Sequence, residues 1–551
     1  MPSGTAIVDR RLTISAVLCV ALMAIFWTGP YVVRDDLFSG DAAHHVFWFY
    51  QYANPALFPN DLSIEYFASN SVAPSGYRAF YAVLASGFDA QHAAEWVAVV
   101  LVGLSGWLAW LLGRSLQPDA RPVTGLLAVV ALACLMPQTD LISPMGFQRS
   151  FALPMALLCL WALVSRRYRW VGVSWLAAAF IYPVTIAVLG LASALVFLGD
   201  LVRDRRLPPH WLWNGILGVL ALGVIVLGTG TPENVGPMVT YAQAMSLPEF
   251  GPGGRQQLWG AGWREYWFAH HRTGLGWSPK VVAACLAACA VVLLAGERRL
   301  IPRAAWMMAL AGVGLWWLAR LVLFDLYLPN RHSRMALGVF FCVVLSAAGF
   351  AVMKSLVERV PQEKRQKAWR GAQLSLALLA PLVVTVSLAP HAVRAWTAPR
   401  SADLEQVYAF LGELPVDTLV AAHPDLADYI PLRSRRSVLA STEMSIAFMT
   451  GYYSRVKPRI ETSLRAAYAT SLEEMDSALA PYGVDVFVTG PQVWAQTSYV
   501  APFEGLASEL IARGRTLGFV LQSPPADRVL FRSGEYYVIR VERSADVRSA
   551  Q

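Results

Sequence analysis

The chain has 551 residues, 56% hydrophobic and only 15% charged, with a mean hydropathy of +0.45. Soluble domains carry about 25% charge, so an ordinary soluble protein is excluded. The net charge of +8 comes from Lys and Arg clustered between apolar runs, which is a positive-inside bias and not the footprint of a nucleic-acid binder.

A short basic amino terminus (Asp9, Arg10, Arg11) leads into an apolar run at 12–33. The run is longer than a signal-peptide core and has no small-x-small cleavage site, so it reads as an uncleaved first span. A polar loop, 34–91, follows. Within it, 77–88 (YRAFYAVLASGF) is too short to span and suits the interface. Spans are then expected at 93–112, 123–137, 151–165, 211–228, 281–295, 304–323, 335–353 and 374–389. The run 170–199 is too long for one span and splits into two at Tyr182-Pro183. The total is about eleven. All six cysteines (Cys19, Cys134, Cys159, Cys285, Cys289, Cys342) fall in these apolar runs. None has ligand spacing to a His, so neither a disulfide framework nor a zinc site is expected.

Charge sets the orientation. Arg10/Arg11, Arg114/Arg121, Arg166/Arg167/Arg169, Arg203/Arg205/Arg206, Arg298/Arg299/Arg303 and the Lys354–Arg370 cluster occupy alternate connections. They place the amino terminus in the cytoplasm and, with an odd span count, the carboxyl end outside. Reporter fusions are expected to read cytoplasmic at the amino terminus and at Gly371, and external at Gln551. A cytoplasmic signal at Gln551 would break both the count and the orientation. No internal repeat is visible, which weighs against an inverted-repeat transporter.

The first 390 residues thus form an all-α polytopic membrane domain. From 391 to 551 the composition becomes that of a soluble α/β domain. Ser471-Leu-Glu-Glu474 reads as a capping box, and 418–422, 484–489 and 536–541 read as strands.

Chemistry concentrates in the loop at 34–91, where VRDDLFSGDAAHHVFWFYQY and FPNDLSIEY put Asp35, Asp36, Asp41, Asp61 and Glu65 behind the first span. Acids beside hydrocarbon are expensive and mark a site. If 41–48 is one helix, Asp41, His44, His45 and Trp48 share a face. A positioned Asp can take a proton from an acceptor hydroxyl, and cations, a metal or a protonated His can assist a departing phosphate. Asp41 could equally be an N-cap after Ser39-Gly40. Arg149 in GFQRS and Arg331, His332 and Arg334 in LPNRHSR are cations on the same side; the Arg fork suits phosphate, while an interfacial anchor or a loop ion pair is the structural alternative. Arg320, inside a span, is expected to pair with Asp325. The loop 229–278, rich in Gly and Trp, suits an interface belt or sugar stacking, with His270-His271 read as interfacial. In the tail, 432–436 (LRSRR) and 451–457 (GYYSRVK) face headgroups, an acceptor glycan or solvent.

A first span, an acidic loop leading into an aromatic and His-rich helix, many further spans and an outer tail domain together resemble the GT-C superfamily of integral membrane glycosyltransferases. The resemblance implies a polyprenyl-phosphate sugar donor and a glycan, lipid or protein acceptor, with membrane lipid and no nucleic acid among the partners. It places the catalytic base at Asp41, with Asp35 or Asp36 as substitutes. Asp61, Glu65, His44, His45, Arg149, Arg331, His332 and Arg334 would bind substrate. It implies an inverting displacement and no metal or other cofactor, although the acid-rich loop leaves room for a divalent cation. The common Asp-Glu pair of the superfamily is Asp41-Ala42 here, so Asp61 or Glu65 would supply the second acid. The setting would be a bacterial inner or plasma membrane, with the tail periplasmic or extracellular. A lipid-diphosphate polymerase or ligase would move the centre to Arg331–Arg334. A lipid-sugar transporter or assembly subunit would need a midplane site.

Overall fold

A computed structural model describes residues 4–542 apart from 39, 60, 71, 140, 206, 208, 229 and 231, and without the side chains of 4–6 and 42. Ser39, Arg206, Thr229 and Gln551 therefore lie outside the described residues.

The first helix, α1 (Gly4–Val33), runs into the acidic loop, which holds α2 (Ala42–Val46), α3 (Tyr50–Ala53), α4 (Leu62–Phe67) and α5 (Ser75–Ala85). Then come α6 (Ala90–Arg114), α7 (Arg121–Leu135), α8 (Ala152–Val164), α9 (Arg169–Ile181), α10 (Val184–Asp204) and α11 (Trp211–Gly228). After α12 (Tyr241–Ser246), α13 (Pro279–Leu294), α14 (Arg303–Leu321), α15 (Asn330–Glu358) and α16 (Arg365–Trp396) complete the bundle. Eight of these helices are long and apolar enough to cross a membrane: α1, α6, α7, α10, α11, α14, α15 and α16. Shorter apolar helices at α8, α9 and α13 occupy the other expected spans. The chain is a multi-pass membrane protein. The break between α9 and α10 falls at Tyr182, whose extended backbone (ψ 80°) precedes Pro183, as the steric clash before proline requires.

The helix at the centre is α15. Its apolar stretch is 83% buried, against 17% for α11 and α16 at the rim. Its first turn is polar and buried, with Asn330, His332, Ser333 and Arg334 all enclosed. The last helix, α16, lies along α1, where Trp27 stacks on His391 with ring centroids 4.0 Å apart. Arg34, only 2% exposed, fastens the same pair. It bonds Asp36 (2.5 Å) and donates to the carbonyls of Ala395, Trp396 and Ala398 at 2.7–3.1 Å.

Arg320 departs from expectation. No ion pair links it to Asp325, because α14 ends at Leu321 and the chain reverses through Phe324 (φ +81°) and Tyr327 (φ +62°). The guanidinium instead lies 4.7–5.1 Å from the rings of Trp259, Tyr266, Trp267 and Trp316 and donates to the Thr273 carbonyl at 2.6 Å. Cation–π contacts and a carbonyl satisfy this charge without an acid. The aromatics of the loop 229–278 thus pack inward upon it.

The tail begins with α17 (Ala402–Glu413), β1 (Leu419–Ala422), α18 (Pro424–Ala427), α19 (Ile430–Ser434) and β2 (Ser437–Val438). It continues through α20 (Thr450–Ala467), α21 (Leu472–Leu479), β3 (Val486–Thr489), α22 (Pro491–Ala495), α23 (Glu504–Leu517), β4 (Val529–Ser533) and β5 (Tyr536–Arg540). The strands form one sheet in the order β2-β1-β3-β5-β4, parallel at β2-β1-β3 and antiparallel beyond. Ser471 caps α21 as the sequence suggests, while the Glu474 carboxylate bonds the Thr470 N–H.

Basic residues dock this domain on the acidic loop. Arg435 bonds Asp89 at 2.9 Å and covers the Tyr50 ring. Arg455 bonds Glu65 at 2.7 Å, and Arg433 bonds Glu405 while covering Phe38. The two basic tail segments therefore serve the contact between the parts of the chain.

Candidate active site

Asp41 stands at the start of α2. It makes no side-chain capping bond. Its carboxylate bonds the Arg149 guanidinium at 2.6 Å instead. Arg149 sits on the one-turn segment Gln148–Phe151 that leads into α8, with its guanidinium 4.6 Å from the Phe147 ring. The same ring stacks on His45 at 5.3 Å. Gln148 donates to the Val72 carbonyl at 3.0 Å and lies 3.3 Å from His45 Nδ1.

Burial tends to raise the Asp41 carboxyl, but Arg149, by charge and hydrogen bond, and the charge of Arg331 outweigh it and hold the group well below the usual carboxylate range. The side chain remains 44% exposed, open to solvent on one side while cations crowd the others. Arg331, in the first turn of α15, thus acts on the same carboxylate as Arg149. Arg272, from the 229–278 loop, joins them. Burial, together with the charges of Arg255 and Arg331, lowers its guanidinium to about 10. At Arg255 the Glu443 carboxylate outweighs burial and raises the guanidinium, so the crowding of like charge is felt at Arg272.

The other first-loop acids are engaged elsewhere. Asp36 is held by Arg34 and lies 3.5 Å from Arg400. Asp35 is 72% exposed, 3.5 Å from His92. Asp61 caps α4 through the Ser63 N–H at 2.8 Å and reaches the Val438 N–H of the tail; burial raises its pKa. Glu65 bonds Arg455 and Asn234.

The two histidines diverge. The helix breaks after Val46 into a tighter turn at Phe47–Phe49, so Trp48 packs against Phe49, Tyr52 and Tyr77 and shares no helix face with Asp41. His45 turns to Phe147, whereas His44 turns to the tail, 3.7 Å from Asp428. Burial lowers both imidazoles to about 4, so they are neutral at pH 7 and the positive charge belongs to arginine. His332 is pinned by its Nε2 to the Leu326 carbonyl at 2.8 Å. Arg334 packs on Gly276, whose φ of +84° and missing Cβ permit the approach; its Cα carbonyl accepts the Trp277 indole N–H.

Several members were not visible in the sequence. Asp428 and Glu443 come from the tail, and Arg255 and Arg272 from the 229–278 loop. The Glu443 N–H donates to Asp428 at 2.9 Å, and its carboxylate bonds Arg255. Burial and the Glu443 charge push Asp428 up to about 8, while at Glu443 Arg255 outweighs burial and lowers the pKa. The available signal was an Asp set among apolar neighbours in LADYI.

The raised Asp428 carboxyl has a consequence for stability. Between its unfolded value, about 3.9, and about 8, the folded chain keeps a proton that the unfolded chain releases. Stability therefore falls as pH rises through that window. Asp428→Asn is expected to flatten the decline in melting temperature between pH 5 and 8. An unchanged slope would mean that Asp428 ionises normally.

An apolar groove of about 780 Å³ runs between α5, α6, α8 and α9, lined among others by Phe80, Leu84, Trp96, Leu104, Phe151 and Met155. Phe151, two residues beyond Arg149 in the chain, is part of its lining. Among the described residues, no group of three or more His, Cys, Asp or Glu side chains is arranged to hold a metal ion.

A span bundle with an acidic first loop, covered at one end by a mixed-sheet domain, is a fold found in solved membrane-protein structures. The structure of ArnT from Cupriavidus metallidurans bound to undecaprenyl phosphate superposes with a TM-score of 0.52 at 14% identity, covering 96% of this chain and 98% of that one. The archaeal oligosaccharyltransferase AglB from Archaeoglobus fulgidus, in complex with an inhibitory peptide and a dolichol-phosphate, gives 0.47 at 13% identity, over 87% of this chain and 69% of that one. The same enzyme tethered to an acceptor peptide gives 0.47 at 14%, over 92% and 71%. No family model and no curated protein matches the sequence.

Proposed function

We propose that the chain is a membrane glycosyltransferase that moves a sugar from a polyprenyl-phosphate donor to an acceptor at the extracytoplasmic face. One observation carries this reading: Arg149 bonds the Asp41 carboxylate at 2.6 Å, and Arg331 acts on the same group. Surplus guanidinium charge beside an acid suits a site that receives a phosphate.

The apolar groove, lined by Phe151 two residues from Arg149 in the chain, would take the isoprenoid chain, and the arginines the phosphate. In the reaction, Asp41 accepts the proton of the acceptor hydroxyl as its oxygen attacks the anomeric carbon. The bond from that carbon to the phosphate oxygen breaks with inversion, and polyprenyl phosphate leaves with the electron pair. Guanidinium groups fixed in advance stabilise the charge gathering on the phosphate. While bonded to Arg149, Asp41 is a weak base. A donor phosphate drawing on Arg149 would release the carboxylate, so that the base becomes effective once donor is bound.

The test is binding and transfer by the purified chain. Undecaprenyl phosphate is expected to raise the melting temperature saturably, and a polyprenyl-phosphate sugar to be consumed with formation of free polyprenyl phosphate. Neither effect, in well-folded protein over a panel of donor sugars, would remove the proposal.

A further inference from the structure

Resting on that reading, we infer that the docked tail supplies the acceptor subsite: Asp428 and Glu443, together with His44, bind neighbouring hydroxyls of a carbohydrate acceptor. The tail carboxyls stand against the first loop, and both are reachable, with side chains 17% and 28% exposed. The Glu443 carboxylate is oriented by Arg255, whose guanidinium also holds the Ser445 carbonyl at 3.1 Å. Asp428 is oriented by the Glu443 N–H.

The independent sign of a ligand is His44. It is only 2% exposed, and its Nε2 makes no hydrogen bond among the described residues. That nitrogen stands 3.7 Å from Asp428 Oδ1, beyond hydrogen-bond range. A buried polar atom left so costs about 1–3 kcal/mol. A hydroxyl beside both groups would satisfy them, because it offers one donor and two acceptor positions.

The chemistry of the pair selects the class of ligand. Asp428 keeps its proton at neutral pH and Arg255 already compensates Glu443, so the pair offers neither the positive charge a phosphate needs nor the free negative charge a cation needs. A neutral polyol with adjacent hydroxyls fits. Tyr429, next to Asp428 in the chain and stacked on Phe38 at 5.3 Å, has its hydroxyl raised by burial first, then by the charges of Asp428, Glu443 and Asp41 in that order. It therefore offers an aromatic surface near both the base and the carboxyl pair, of the kind on which sugar rings pack.

The full chain in detergent would be titrated with methyl aldopentosides and methyl aldohexosides, and with N-acetylserine methylamide as a peptide hydroxyl, by saturation-transfer NMR. Undecaprenyl phosphate binding, measured in parallel, reports the donor side. At least one glycoside should bind the wild type, and its affinity should fall about tenfold or more in Asp428→Asn and in Glu443→Gln, with undecaprenyl phosphate still bound. If Asp428→Asn does not fold, Glu443→Gln and His44→Gln decide. No glycoside bound, the serine derivative alone bound, or glycoside binding undiminished in the folded variants would each overturn the assignment. Glycoside binding of the expected pattern without undecaprenyl phosphate binding would support the subsite and defeat the donor reading instead.

Discussion

Asp41→Asn is expected to keep its fold and lose about 10²–10⁴-fold in sugar transfer, the contribution typical of a positioned proton acceptor. Asn matches Asp in size, and no capping bond is lost because Asp41 makes none. What disappears is the ion pair to Arg149, and with a side chain 44% exposed such a pair is worth about 0–1 kcal/mol. The melting temperature should therefore move little while turnover collapses. Two controls in the same loop sharpen the reading. Asp35→Asn, at an exposed acid, should be silent in both measurements. Asp61→Asn should act on stability, since Asp61 caps α4 and reaches the tail. Full transfer by Asp41→Asn would move the base to another acid, with Asp35 and Asp36 next in line.

Arg149→Ala should weaken undecaprenyl phosphate binding by roughly 10–100-fold, the loss expected of a charge-assisted hydrogen bond worth about 1.5–3 kcal/mol. It should also change the pH dependence. In the wild type Asp41 is held below the usual carboxylate range, so it stays ionised and transfer should show no acid limb above about pH 5. With Arg149 gone, burial still raises the carboxyl and less charge opposes it. A base works only when deprotonated, so activity would now be lost as pH falls through a higher pKa. The limb should thus move upward into the measured range. Weakened binding with an unmoved limb would keep Arg149 as a phosphate ligand but sever its link to the base. Unchanged binding would remove it from the donor site.

The bundle was legible because hydrocarbon imposes a length and a composition on every span, and because Tyr182-Pro183 breaks a run that would otherwise look continuous. The strands at 418–422, 484–489 and 536–541 were legible for the same kind of reason, being runs of β-formers between turn residues. The two-residue strand Ser437–Val438 has too little pattern to announce itself. Within the site, Asp41, Arg149 and Arg331 stood out because a charge next to a span carries a cost. Glu443, Arg255 and Arg272 lie in polar stretches where charge is ordinary, and Asp428, though set among apolar neighbours, meets the first loop only through the docking of the tail. The Arg320–Asp325 pairing failed because it assumed a helix continuing past Leu321, and because aromatic rings can satisfy a guanidinium as well as an acid does.

The clasp of Arg34 on the carbonyls of Ala395, Trp396 and Ala398 joins the first helix of the bundle to its last. During translation the first helix must remain in the bilayer without its main neighbour until α16 has been inserted, and His44 of the first loop lacks its neighbour Asp428 until the tail has been made. A nascent or prematurely terminated chain would therefore hold the base and the first cations without the tail that docks on the first loop.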